Sequence, residues 1–212
     1  FFFFLMNGDH RDLHSFPTRR SSDLIARCYL RQYPDILDGL ILSGSPSPLP
    51  AMTRMQSILN RVIVHRGDTS HSKRIDRILY NTFQRPFRSE SRSNTWICSD
   101  EAVVDAYNAD PLCQFHFTLN GYATLLALLN TTYNTKDGGY TARIADLVLP
   151  GGDDPCRGND TRFQQAVDRM AELGYQNVNS TLFPRMRHEI LNERNKAVVY
   201  AEILETLDAW NC

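Results

Sequence analysis

Short apolar runs alternate with helical patterns along the last two thirds of the chain. Three runs have the length and composition of buried strands, at residues 37–43, 146–150 and 177–183. A helical pattern at residues 162–173, closed by Gly174, separates the second run from the third, and another at residues 191–209 follows the third. This alternation predicts an α/β fold, in which helices flank a parallel sheet joined by right-handed crossovers.

A long helical segment separates the first and second predicted strands. It covers residues 45–140, more than a crossover needs, and therefore predicts a mostly helical cap or lid. Ser99 and Thr118 are the predicted amino-terminal caps of two of its helices. Its predicted helices lie at residues 52–64, around residues 75–79, from the residue after Ser99 to residue 109, and at residues 117–129. Residues 84–95 are polar and are predicted to form a loop.

The first 24 residues do not have the pattern of a folded element. Residues 8–24 resemble one reading-frame translation of a sequencing adapter, and Phe1 to Phe4 resemble a translated thymine tract. A signal peptide is one alternative, but no basic segment precedes the apolar start and no small-residue cleavage site follows it. A flexible polar tail is the other alternative. We therefore expect residues 1–24 to be non-native, and residues 25–212 to be the native segment. Residues 25–33 then form the end of a helix that stops before Pro34.

Composition argues against several classes of function. The formal net charge of the whole chain is −1, which gives no overall electrostatic case for nucleic acid or an anionic membrane. No apolar run approaches the roughly 18 residues of an integral membrane segment, and a cytoplasmic location is the default expectation. The five cysteines are scattered, which argues against a disulfide framework. Cys113 and Cys156 are interpreted as small buried residues. No His/Asp/Cys group has metal-ligand spacing along the chain, so neither a metal nor a cofactor is expected.

The chemically informative residues follow the second and third predicted strands. The second run ends in Gly151 and Gly152 before Asp153 and Asp154, and the third is followed by His188. Because the carboxyl ends of neighbouring parallel strands lie at one edge of a sheet, an aspartate and a histidine there can form the acid–base half of a hydrolytic triad. Alternatively, either aspartate only caps the next helix, and His188 is a surface histidine.

Two glutamates follow His188. Glu189 and Glu193 are expected to lie in the first turn of the last helix, where carboxylates suit the positive end of the helix dipole.

These segments resemble the α/β-hydrolase fold, and more narrowly the lysophospholipase and monoacylglycerol-lipase group of serine aminopeptidase type. The most specific matches are residues 151–155, which resemble the acid loop, and residues 187–193, which resemble the histidine loop. The resemblance implies that this chain is the carboxy-terminal part of such a fold. It also implies that Asp154 is the triad acid and that His188 is the base. Asp153 is then a structural neighbour.

The resemblance places the nucleophilic serine in a G-x-S-x-G turn just before Ile25, so we expect it to have been lost upstream. The implied parent enzyme hydrolyses carboxylic esters, with an acyl ester or lysolipid as its small-molecule substrate, and this chain is expected to be inactive. Ser45 and Cys113 are weaker alternatives as nucleophile, because neither follows a strand-to-helix turn of this kind. The alternative function is a non-catalytic binding protein of the same fold.

The cap also contains apolar residues that could form an acyl-binding groove, although core packing explains them equally well. They are Met52, Met55, Phe115, Phe117, Leu125 and Leu126.

Overall fold

A parallel three-stranded sheet forms the centre of the protein. The computed structural model describes residues 18–33, 37–49, 52–134 and 145–210. Within them, strands β1 (Gly39–Ser43), β2 (Ala145–Leu149) and β3 (Gln176–Ser180) lie in the order β1-β2-β3, and both pairings are parallel. The predicted strands and the predicted α/β class are thus confirmed. The third strand ends earlier than predicted, although an isolated parallel bridge joins Gly151 to Phe183 beyond it.

The alternation of strand side chains gives the sheet two apolar faces. On one face, Leu40, Leu42 and Val148 pack with Met170 and Tyr175. On the other face, Leu147 and Leu149 pack with residues of the histidine loop and the last helix, including Phe183, Ile190, Val199 and Ile203. Because successive residues of a strand point to opposite faces, both faces of β2 are buried between helices, as in a parallel sheet.

Helices cover both faces of the sheet and make up most of the segment between β1 and β2. Helices α1 (Thr18–Leu30) and α6 (Asp160–Glu172) flank the sheet on the first face, and α7 (Lys196–Trp210) flanks it on the other. The segment expected to form the cap, which we call the cap, contains α2 (Met52–Arg66), α3 (Lys73–Gln84), α4 (Glu101–Ala109) and α5 (Leu119–Tyr133). Single 3₁₀ turns lie at Arg85–Phe87, Pro111–Cys113 and Ile190–Asn192.

One of the two predicted helix caps is confirmed. Thr118 caps α5 as predicted, accepting the Gly121 N–H at 3.1 Å. The predicted cap of α4 is wrong: Asp100, not Ser99, accepts the Ala102 N–H, because the Ser99 hydroxyl is bonded to Glu193.

The first and last helices also differ from their predicted bounds. Helix α1 begins at Thr18, within the segment expected to be non-native, and Leu24 packs with Leu129 and Ala166 of the cap and α6. Helix α7 begins at Lys196 and not at Leu191, because Glu193 has extended backbone between the Ile190–Asn192 turn and the helix. Residues 1–17 and 135–144 lie outside the described part of the chain, so the adapter hypothesis and the exact end of the cap stay predictions.

Glycine at position 39 allows α7 to pack closely on the sheet. A β-carbon placed on Gly39 would lie 2.4 Å from the Trp210 ring. Real β-carbons do not approach other atoms so closely. A larger residue at the start of β1 would therefore push the end of α7 away from the sheet.

Asp146 is a buried carboxylate in the central strand. It lies between Leu40 of β1 and Val178 of β3 and is fully buried, and neither carboxylate oxygen has a hydrogen-bond partner among the described residues. Burial raises the pKa of Asp146 to about 8, and the charge of Arg27 offsets only part of that effect.

Asp146→Asn should change how the stability of the protein depends on pH. The folded protein keeps the Asp146 proton up to a pH of about 8, whereas the unfolded chain releases it near pH 4. The wild type therefore loses stability as pH rises through that window, by at most about 1.4 kcal/mol per pH unit, and the Asn variant does not. Urea unfolding between pH 5 and pH 9 measures the difference. The control is Asp168→Asn on the exposed side of α6, and equal pH profiles for both variants would contradict the prediction.

Candidate active site

Two loops meet at the carboxyl ends of β2 and β3. In the structure the acid loop extends over residues 150–155, after β2, and the histidine loop over residues 181–193, after β3. Backbone hydrogen bonds join them: Gly152 N–H donates to Phe183 O at 2.8 Å, and Asp153 N–H donates to Met186 O at 2.9 Å. The two loops therefore form one connected unit at this edge of the sheet.

Glycine at position 151 is required for this contact. A β-carbon there would lie 2.1 Å from Arg187 O and 2.5 Å from Met186 O. Both are backbone atoms that cannot rotate away. The glycine that breaks the predicted strand therefore also lets the histidine loop pack against the acid loop.

The structure brings the side chains of Asp154 and His188 into contact. His188 Nδ1 lies 2.9 Å from Asp154 Oδ2, and the two side chains are 4% and 1% exposed. The other carboxylate oxygen of Asp154 accepts the Cys156 N–H at 2.8 Å. Asp154 is thus held at both oxygens, which orients the carboxylate toward the imidazole.

The alternative interpretations of the two aspartates and of His188 do not fit this geometry. Helix α6 is capped by Asn159, which accepts the Arg162 N–H at 2.9 Å. Neither Asp153 nor Asp154 occupies the capping position. Asp153 is exposed, whereas His188 is only 5% exposed and so is not a surface histidine.

His188 is packed on two further sides. Its ring lies 5.4 Å from the ring of Trp96, measured between centroids. Gly44, with φ of +66°, lies so close that a β-carbon there would be 2.8 Å from His188 O and 3.2 Å from the imidazole. The residue after β1 must therefore be a glycine, both for its left-handed backbone and for the space that His188 occupies.

The surroundings of His188 favour the imidazolium form. Burial lowers the pKa of His188, but the charges of Cys156 and Asp154, together with hydrogen bonding, outweigh it and raise the pKa above its usual range. A carboxylate beside the imidazole is the arrangement that stabilises a histidine as it accepts a proton.

Glu189 and Glu193 do not lie in the first turn of the last helix as predicted. Both are buried, and Glu193 accepts the N–H groups of Ser99 at 3.0 Å and Arg187 at 2.8 Å, as well as the Ser99 hydroxyl. Glu189 N–H donates to Ile97 O at 2.8 Å. The prediction was wrong because the Glu193 carboxylate and the Glu189 backbone tie the histidine loop to residues 97–99 of the cap. This contact spans about 90 residues of chain, so a local pattern does not reveal it.

Arg187 adds a second link between the histidine loop and the cap. Its guanidinium lies 4.1 Å above the Phe87 ring and pairs with Glu90 at 2.6 Å. It also donates to Thr95 O at 2.5 Å. His188 is therefore flanked on the chain by residues that fix its loop to the cap.

Cys156 is a neighbour of the pair that the sequence did not indicate. It is buried, as expected of a small core residue, but its sulfur lies in a group with Asp154 and His188 whose ligand atoms are all within 4.8 Å of one another. Carboxylate, thiolate and imidazole are ligand types that zinc accepts. In this structure, His188 Nδ1 and Asp154 Oδ2 are hydrogen-bonded to each other. The expectation that the protein binds no metal stays a prediction.

The two alternative nucleophiles have other contacts. Ser45 is buried and donates its hydroxyl to Asp23 Oδ2 at 2.6 Å. Cys113 is buried in a cluster with Tyr107 and Val104 of the cap. Neither of these contacts joins the Ser45 hydroxyl or the Cys113 thiol to the His188 imidazole.

Three of the six apolar residues considered for an acyl groove pack against the core. Met52 and Leu125 pack against a cluster that contains Leu129, and Leu126 packs against one that contains Leu59. Met55 and Phe115 are exposed. Core packing therefore accounts for several of the six residues, and the groove stays a hypothesis.

The fold and the paired loops define the class of this protein. The parallel sheet with an aspartate and a histidine in the loops after neighbouring strands is that of an α/β-hydrolase. A family model described as serine aminopeptidase, S33, matches residues 24–195, and the chain belongs to this family. No curated protein matches the chain in sequence.

Solved structures show the same fold at low sequence identity. A highly thermostable carboxyl esterase from Bacillus coagulans superposes with a TM-score of 0.78 at 20% identity, covering 88% of this chain and 61% of the esterase. A monoacylglycerol lipase from Paleococcus ferrophilus gives a TM-score of 0.62 at 16% identity, with 88% and 65% coverage. A soluble variant of monoglyceride lipase from Saccharomyces cerevisiae gives 0.59 at 18% identity, with 88% and 60% coverage. The chain thus spans less than two thirds of the length of each.

Asp154→Asn should lower the pKa of His188. The neutral amide removes one of the charges that stabilise the imidazolium, so the proton leaves at a lower pH than in the wild type. NMR titration of the His188 ring signals measures the shift. Asp153→Asn, an exposed neighbour, is the control and should leave the titration unchanged. An unchanged pKa in Asp154→Asn would contradict the contact between the two side chains.

Glu193→Gln should destabilise the protein by about 1–3 kcal/mol, because a buried carboxylate that accepts two backbone N–H groups is replaced by a weaker acceptor. Chemical unfolding measures the loss. Glu205→Gln on the exposed side of α7 is the matched control, with an expected change within about 0.5 kcal/mol. Equal effects from both substitutions would show that Glu193 does not hold the histidine loop to the cap.

Proposed function

We propose that this chain supplies the acid–base part of a serine hydrolase that cleaves carboxylic esters, with monoacylglycerol or lysophospholipid-like substrates. The observation that carries the proposal is the buried 2.9 Å contact between His188 Nδ1 and Asp154 Oδ2 at the carboxyl ends of β2 and β3. Membership of the serine aminopeptidase family and the fold of esterases and lipases support the same reaction class.

In the proposed mechanism, Asp154 holds the imidazole with its Nδ1 proton directed at the carboxylate. His188 Nε2 then accepts the proton of a serine hydroxyl as that oxygen attacks the ester carbonyl. The imidazolium returns the proton to the leaving alcohol, and the same cycle with water hydrolyses the acyl-enzyme. Asp154 stabilises the imidazolium in both half-reactions.

The nucleophile of this proposal does not come from the 212 residues. They contain no G-x-S-x-G sequence, and we propose that the serine belongs to a segment encoded before Ile25. The residues around Asp154 and His188 then supply the base and its orienting acid to a hydroxyl from that segment.

Restoring the coding sequence that precedes Ile25 in the source DNA tests the function. The extended protein should hydrolyse monoacylglycerol or lysophospholipid, and His188→Gln or Asp154→Asn should each lower kcat by about 10³-fold or more. Asp153→Asn should keep most of the activity. An extended protein without a G-x-S-x-G turn, or with full activity in His188→Gln, would favour the binding-protein alternative.

The 212-residue chain by itself should not react with a fluorophosphonate probe. If the nucleophilic serine belongs to a preceding segment, gel fluorescence and mass spectrometry should show no labelled serine and ester hydrolysis should stay at background. Labelling of Ser45, or of any other serine, that requires His188 would overturn this prediction.

A further inference from the structure

The amino-terminal half of the cap concentrates positive charge. Residues 52–88, which we call the basic cap segment, contain eight arginine and lysine residues and two acidic ones, a net charge of +6. Because the whole chain has a net charge of −1, the rest carries −7. The eight basic residues are Arg54, Arg61, Arg66, Lys73, Arg74, Arg77, Arg85 and Arg88.

These basic side chains are available to a partner. All eight are exposed, and none forms an ion pair with another residue that the structure describes. Of the two acidic residues, Asp76 is already bonded to the Tyr122 hydroxyl at 2.6 Å. The positive charge is therefore not neutralised within the described chain.

Apolar side chains are exposed among the basic ones. Residues three and four apart share a face of a helix, so Ile58 lies between Arg54 and Arg61 on the exposed side of α2. Ile58 is 52% exposed. Arg74 and Ile78, which is 56% exposed, share the exposed side of α3 in the same way.

The opposite sides of both helices are occupied by the fold. Leu59 of α2 is buried in a cluster with Leu119 and Ala123 of α5, and Ile75 of α3 packs against the same cluster. Both helices are thus anchored by one face, and the face that carries arginine and isoleucine side chains stays outside.

We propose that the basic cap segment binds the surface of a bilayer that contains anionic phospholipid. Basic side chains are attracted to the negative lipid surface, and exposed aliphatic side chains beside them enter the boundary between headgroups and acyl chains. A nucleic acid would be attracted by the same charge. Exposed isoleucines offer nothing to phosphates, whereas nucleic-acid surfaces use aromatic or hydrogen-bonding side chains.

The segment is connected to the candidate active site through aromatic contacts. Phe83 of α3 lies 5.3 Å from Trp96, whose ring lies 5.4 Å from that of His188, measured between centroids. A bilayer-bound cap would therefore hold the site close to lipid. The binding itself does not require the proposed hydrolysis, so either proposal can fail without the other.

Co-sedimentation of the 212-residue chain with lipid vesicles tests the inference. The chain should bind vesicles of equal parts phosphatidylglycerol and phosphatidylcholine, should bind phosphatidylcholine vesicles far less, and should be released as salt is raised. Arg74→Glu/Arg77→Glu should weaken binding at least about tenfold, and Arg54→Glu/Arg61→Glu provides a second variant on the other helix.

Arg194→Glu/Lys196→Glu is the matched control. It makes the same change in charge at exposed positions outside the cap and should leave binding unchanged. Circular dichroism confirms that each variant is folded. The inference is overturned if the chain does not bind the anionic vesicles, if it binds both vesicle types equally, or if control and cap variants lose affinity equally. Preferential binding of a polyribonucleotide that displaces the vesicles would also overturn it.

Discussion

The hydrogen bond between Asp154 and His188 depends on how closely two loops can approach at one edge of the sheet. The pairing of β2 with β3 brings the ends of both strands together, and a residue without a side chain at Gly151 lets the backbone of the histidine loop lie against the acid loop. Gly44 provides the remaining space beside the imidazole. The contact is buried, so the carboxylate stabilises the imidazolium without competition from water.

Residues of the cap are part of this arrangement, because they contact the histidine loop directly. Glu193, Arg187 and the backbone of Glu189 all bond to residues of the cap, and Trp96 packs on the imidazole. Glu193, Arg187 and Trp96 therefore have structural roles, although they lie close to the proposed catalytic residues Asp154 and His188. From the dipole of the last helix, Glu189 and Glu193 were expected in its first turn. Both are buried instead, and Glu193 is bonded to Ser99 of the cap and to Arg187.

The sequence allowed the sheet and the chemical pair to be predicted, because both depend on local signals. Apolar runs that end at glycine or proline mark β1, β2 and β3, and the order of strands and helices implies which strand ends lie together. The roles of Glu193 and Trp96 and the position of Cys156 beside His188 could not be predicted, since each depends on where a distant segment of the cap returns to the sheet. The burial of Asp146 without a hydrogen-bond partner could not be predicted for a different reason. An apolar run predicts the strand, but it does not show how a single carboxylate within that strand is accommodated.

The most direct measurement of the central contact is the protonation of each ring nitrogen of His188, observed by NMR in protein labelled with ¹⁵N-histidine. If Asp154 accepts a hydrogen bond from the imidazole, Nδ1 carries a proton in both the charged and the neutral form, and that proton exchanges slowly with water. A neutral His188 with its proton on Nε2 and a bare Nδ1 would show that the carboxylate does not hold the ring, and would contradict the account.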